Sequence, residues 1–64
     1  MKKYYTIAFF EGGRWHADFG DYDKEVVKQE IEDSYSEYKT KIIITTKGHT
    51  ELMAKLNKLN GVTP

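Results

Sequence analysis

Residues 15–23, Trp15-His16-Ala17-Asp18-Phe19-Gly20-Asp21-Tyr22-Asp23, switch from one periodicity to another, and the topology hangs on that switch. As far as Phe19 the pattern alternates, with Trp15, Ala17 and Phe19 on one side and His16 and Asp18 on the other, as in a half-buried strand. Gly20 breaks the run and permits a sharp turn. Asp21 or Asp23 then offers an N-cap carboxylate, and Glu25 places further negative charge at the positive start of a helix. Beyond it Val27, Ile31, Ser34 or Tyr35, and Tyr38 recur at helical spacing, which predicts an amphipathic helix running to Tyr38. Tyr22, between the two aspartates, is expected as a lid over the helix start.

Upstream, Tyr4-Tyr5-Thr6-Ile7-Ala8-Phe9-Phe10 is aromatic and β-branched, as strands prefer, and Glu11-Gly12-Gly13-Arg14 has the length and glycines of a hairpin turn. Downstream, Lys39 to Lys41 punctuate the chain before Ile42-Ile43-Ile44-Thr45-Thr46, the strongest strand signal present. Lys47-Gly48 closes that strand. His49 or Thr50 is then placed to cap a second helix with Leu52, Leu56 and Leu59 as its stripe and Met53 beside it. Asn60-Gly61 reads as its C-cap, with Val62 where a Schellman contact would fall and Pro64 unable to extend the helix.

Two hairpin strands, a helix, a strand and a helix predict an α+β fold of ββαβα order. Its sheet has three antiparallel strands in the order 2-1-3, so that strand two, helix one and strand three form a split βαβ unit. Both helices are expected on one sheet face. Tyr5, Ile7, Phe9, Trp15, Ala17, Phe19, Ile42 and Ile44 would then meet Val27, Ile31, Tyr35, Leu52, Leu56 and Leu59 in the core. The other face would stay open and carry Tyr4, Thr6, Ala8, Phe10, His16, Asp18, Lys41, Ile43 and Thr45.

The chain has 64 residues and no Cys, which is the size of one small domain spanning 1–64 and leaves no disulfide, thiolate metal site or thiol nucleophile. No apolar run approaches the ~18 residues of a membrane span, and a cytoplasmic protein is expected. Formal charge is zero at pH 7, yet residues 11–37 hold nine acids against three bases, while the remainder holds seven lysines against Glu51 alone. That segregation gives the first candidate site, the outer helix face of Glu25, Glu30, Glu32, Asp33 and Glu37, suited to a basic partner such as a nucleic-acid-handling protein. The competing reading of the same residues is an ordinary solvated helix face. The second candidate is the open sheet face, where Tyr4, Phe10, His16, Asp18, Lys41 and Ile43 offer stacking and charge to single-stranded nucleic acid, or a seam for a homodimer.

Catalysis finds little support. His16 and Asp18 share a strand side and could form the base half of a dyad, but no local signature supplies a nucleophile. Asp21-x-Asp23-x-Glu25 only faintly matches a calcium loop, since the sixth-position Gly and the distal Glu are missing. Gly12-Gly13 leads into a strand rather than a helix, so it is not a phosphate loop. Neither a cofactor nor a metal is expected, and the chain reads as a non-enzyme.

The phrase Phe19-Gly20-Asp21-Tyr22-Asp23, preceded by Trp15 and followed by Glu25-Val26-Val27, Glu30 and Asp33, then Lys41-Ile42-Ile43 and Ala54-Lys55-Leu56-Asn57, resembles a set of small proteins encoded by bacteriophages and prophages. The likeness spans most of the chain and departs after Asp33, where Ser34-Tyr35 stands in place of a leading Tyr. It implies an accessory product that binds a component of host machinery or host defence in the host cytoplasm, rather than a metabolic enzyme; inhibition of that partner is the reading the acidic helix face adds.

Overall fold

The computed structural model describes residues 2–61, so the roles expected of Val62 and Pro64 lie outside the described residues. The elements are β1 (Tyr4–Glu11), β2 (Arg14–Asp21), α1 (Lys24–Ser34), β3 (Lys39–Thr45) and α2 (His49–Leu59). The sheet is antiparallel with order β2-β1-β3, which makes β2-α1-β3 the split βαβ unit the sequence predicts. Gly12 and Gly13 close the β1–β2 hairpin, both with positive φ (63° and 82°), as a type I′ turn requires.

The helices do not share a face. α1 packs on the side of β1 that carries Tyr5, Ile7 and Phe9, where Ile7, Val27 and Tyr35 are buried together and Phe19, Ile31 and Ile42 close around them. α2 crosses the opposite side diagonally, touching β3 and β2. Beneath it Thr6, Ala8, Ile43 and Thr45 are all buried, and these are residues the sequence pattern left on an open face. The dimensions agree: the molecule measures 33 × 33 × 11 Å. Three strands at the usual spacing span about 10 Å. The short dimension is therefore the width of the sheet, and one long dimension is the stack of helix, sheet and helix.

A bulge in β2 explains which residues changed sides. Thr6 pairs with Gly20 and Ala8 with Ala17, so both Asp18 and Phe19 oppose Ile7. The extra residue shifts the alternation by one. Trp15 and Ala17 consequently lie on the α2 side, with Phe10 and Ala8. His16 lies on the α1 side, its ring 5.3 Å from that of Phe9, and Phe19 joins the α1 core. Ile43 and Ile44 also exchange their expected places: Ile43 is buried under α2, whereas Ile44 on the β3 edge is 38% exposed because α1 covers β1 and β2.

Three local expectations change as well. α1 stops at Ser34, with Tyr35 as its C-cap, so Tyr38 lies beyond the helix, its amide bonded to the Tyr35 carbonyl. β3 begins at Lys39 rather than Ile42. The N-cap of α2 is Gly48, which has no side chain to offer, and His49 and Thr50 already belong to the helix. Gly20 is needed for space rather than for a positive φ. A Cβ there would sit 2.6 Å from the ring of Tyr4, which lies across it on the neighbouring strand.

Candidate functional site

The joint between β2 and α1 spends its carboxylates on backbone. Asp21 Oδ1 accepts from the Asp23 amide at 2.8 Å, and Asp23 Oδ1 accepts from the Glu25 amide at 2.9 Å, capping α1 at its N-terminus. The calcium-like spacing is thereby accounted for as capping, and among the described residues no cluster of three His, Asp or Glu side chains gathers to hold a metal. Tyr22 does not lie over the helix start; its ring stands edge-on to Tyr4 at 4.8 Å.

The acids of the first candidate site are divided. Glu25, Glu32 and Asp33 are exposed on the outer surface of α1. Glu32 has neither a hydrogen bond nor an ion pair among the described residues, while Gln29 Nε2 donates to Asp33 Oδ1 at 3.1 Å and Lys28 stands 3.7 Å from Glu25. Glu30 is half-buried and accepts from the Ser34 hydroxyl at 2.9 Å. Glu37 is not on the helix face at all, because α1 has ended before it. Val26, 42% exposed, adds an apolar element beside Glu25. The charge segregation seen along the chain is only partly kept in space: Lys24 and Lys28 lie on α1 itself, and Lys2 and Lys3 line one cavity with Asp21 and Asp23. The acid-rich segment forms β2 and α1, while Lys39, Lys41, Lys55 and Lys58 sit on β3 and α2.

The second candidate site does not assemble as a face. Of its residues, Tyr4, Phe10, Lys41 and Ile43 share a side of the sheet, but α2 occupies much of that side and buries Ile43. Lys41 Nζ sits 5.2 Å from the centre of the Trp15 ring, a cation–π contact. His16 and Asp18 leave the group. His16 Nε2 meets the Glu11 carbonyl at 3.0 Å, and Asp18 Oδ2 accepts from the Tyr35 hydroxyl at 2.6 Å, so the two do not pair as a dyad. That hydrogen bond to Asp18, with burial second, pushes the Tyr35 phenol up to about 12, and the neighbouring Glu11 carboxylate raises that of Tyr38. A homodimer through this face would have to displace the chain's own α2.

Reading the sequence overlooks a cleft. Between α2 and β2 lies a half-open cavity of about 910 Å³, walled by Tyr4, Trp15, Leu52, Met53 and Leu56 and floored by Thr6 and Thr45. Thr6 is 2% exposed, and its hydroxyl has no hydrogen-bond partner among the described residues. Leaving such a group unpaired costs about 1–3 kcal/mol. The signal available in the sequence was the polar Thr6 inside an otherwise apolar strand. It carries no information about which element covers it.

Among the described residues no helix is long and apolar enough to cross a membrane. Compared with protein-family models, with curated proteins and with solved structures, the chain matches none.

Proposed function

We propose that this chain is a non-catalytic accessory protein of the bacteriophage type that binds, and thereby inhibits, a host protein through the acidic outer surface of α1. The observation that carries this reading is the exposed acid on the outer surface of α1, with Glu32 free of any hydrogen bond or ion pair among the described residues. α1 lies alone on its side of the sheet with Glu25, Glu32 and Asp33 turned to solvent, and the lysines of β3 and α2 lie elsewhere. Such a distribution orients the molecule as it approaches a basic surface and speeds the encounter. Exposed Val26 supplies an apolar contact within the same patch. A basic partner, including one that normally holds nucleic acid, fits this chemistry.

The test is affinity capture from a bacterial lysate treated with nuclease, comparing the tagged wild-type chain with a Glu32→Lys/Asp33→Lys variant. Both substitutions are exposed, so the fold survives them. The expected result is a defined host protein retained by the wild type, released by salt and absent from the variant. Retention of the same proteins by both chains, or loss of all retained material on nuclease treatment, would overturn the proposal.

A further inference from the structure

We infer that Asn60–Gly61 is a self-modifying site, whose deamidation releases α2 from the sheet and which the docked helix holds in check. It lies at the C-cap of α2 and is independent of the acidic surface of α1. Glycine has no side chain to shield its backbone nitrogen, and Gly61 is exposed. That nitrogen, giving up its proton to solvent, attacks Cγ of Asn60; the Cγ–Nδ2 bond breaks and ammonia leaves, closing a five-membered imide. Water then opens one of the two imide C–N bonds, giving aspartate or, with the chain rerouted through Cγ, isoaspartate. One water enters, one ammonia leaves, and nothing is oxidised or reduced.

Three features of the docked helix oppose the first step. Asn60 has ψ 1°, which sets the Gly61 nitrogen beside the residue's own amide nitrogen rather than beside Cβ, out of line with Cγ. The Gly61 amide donates to the Lys58 carbonyl at 3.2 Å. The side-chain amide is held at both ends, Oδ1 by the Trp15 amide at 2.6 Å and Nδ2 by the Trp15 carbonyl at 3.1 Å. The reaction therefore waits for α2 to open. Its product cannot restore the tie, because an ionised carboxylate only accepts. Aspartate sets a negative oxygen against the Trp15 carbonyl where Nδ2 donated, and isoaspartate also displaces the carboxylate along the chain.

The experiment ages the full chain at mildly alkaline pH beside a synthetic peptide of residues 57–64, and maps the products by mass spectrometry and isoaspartyl methyltransferase labelling. Trypsin cutting at Lys58 separates Asn60 from Asn57, the chain's other asparagine and an exposed internal control. Conversion is expected at Asn60 with Asn57 intact, and at least about tenfold slower in the chain than in the peptide, a gap of ~1.4 kcal/mol in favour of the docked helix. Leu56→Ala loosens α2 without touching the Asn60 side chain or the peptide, and is expected to speed conversion in the chain about fivefold, the equivalent of ~1 kcal/mol. Asn60→Asp reproduces one product and is expected to speed amide exchange across α2 while α1 and β1 keep their protection; it decides the matter if Leu56→Ala fails to fold. Equal rates in chain and peptide, an Asn60 that stays intact through prolonged ageing of folded Leu56→Ala, or wild-type exchange in α2 of Asn60→Asp would each overturn the inference.

Discussion

The two sides of the sheet hold their helices by different means. On the α1 side the bond is side-chain burial: Val27 and Ile7 are fully enclosed, Tyr35 nearly so, and Phe9, Phe19, Ile31 and Ile42 fill in around them. On the α2 side no helix residue is fully buried. α2 lies mostly over small residues, Thr6, Ala8 and Ala17, beside Ile43, and is held by polar contacts from the helix and its C-cap to strand and loop backbone. Asn60 bonds both the amide and the carbonyl of Trp15, Lys55 Nζ donates to the Ile44 carbonyl at 2.5 Å, and Glu51 accepts from the amides of Thr46 and Lys47. One helix is thus part of the folding core. The other is fastened along the edges and leaves a cleft in the middle. Regions with few buried apolar contacts open at lower free energy, so α2 is expected to open before α1.

The largest consequence falls on the α1 side. Ile7→Ala removes a side chain that is 0% exposed, and such a change costs about 2–5 kcal/mol. At 0.05–0.15 kcal/mol per residue a chain this short has only about 3–10 kcal/mol in total. Ile7→Ala is therefore expected to remove a large share of that stability and to lower Tm by about 8–40 °C, read from the thermal transition in circular dichroism. Leu56→Ala removes a half-buried side chain and is expected to leave a folded protein with Tm lowered by several degrees, since ~1 kcal/mol moves Tm by about 4–8 °C at this size. Equal losses from the two substitutions would show that the sides are not different in kind.

The same contrast separates what could be read from the sequence from what could not. Element types and order, the glycine hairpin and an aspartate cap at Asp21 or Asp23 follow from local chemistry, local chemistry is written in the residues, and the 2-1-3 sheet follows from that order. The side on which each residue lands depends on phase, and phase is set by pairing. The bulge at Asp18 and Phe19 has no signature of its own, yet it moves Trp15 and Ala17 to one side and His16 to the other. Three consecutive isoleucines form a strand in either phase, which is why Ile43 and Ile44 exchanged places. The leucine stripe of α2 shows that the helix covers something. It does not show which of two sheet faces, because the short link from Thr45 to His49 reaches both. The α1 acids were legible as charge, except Glu37, which lost its place when the helix ended at Ser34 without a glycine or asparagine to announce it. The cleft was not legible, since it exists only because α2 takes the side where Thr6 is buried.

An intermediate effect is expected at the far end of α2. Asn60→Ala deletes both bonds to Trp15, at 2.6 and 3.1 Å, and frees the edge of β2. Two partly buried hydrogen bonds are together worth about 1–3 kcal/mol. The loss should be local: amide exchange is expected to speed up through α2 while the amides of α1 and β1 keep their protection. Uniform acceleration across the chain would mean that α2 and the core open as one unit, and that the difference in fastening has no dynamic counterpart.

The smallest effect is electrostatic and sits at the start of α2. The amides of Thr46 and Lys47, both 2.8 Å from Glu51 Oε1, with Lys55 3.2 Å from the other oxygen, hold the Glu51 carboxyl down to about 2. An unfolded glutamate titrates near ~4.3. Because the folded value is the lower one, the ionised form favours the folded state. Its contribution is complete above about pH 4.3 and is lost as the pH falls toward about 2. Glu51→Gln keeps the shape and removes the charge. The gap in Tm between wild type and variant is therefore expected to be constant at neutral pH and to close between about pH 4.3 and 2, with contributions common to both chains cancelling in the subtraction. A gap that persists unchanged at pH 2 would show that Glu51 serves as a neutral packing contact. α2 would then begin without an electrostatic anchor.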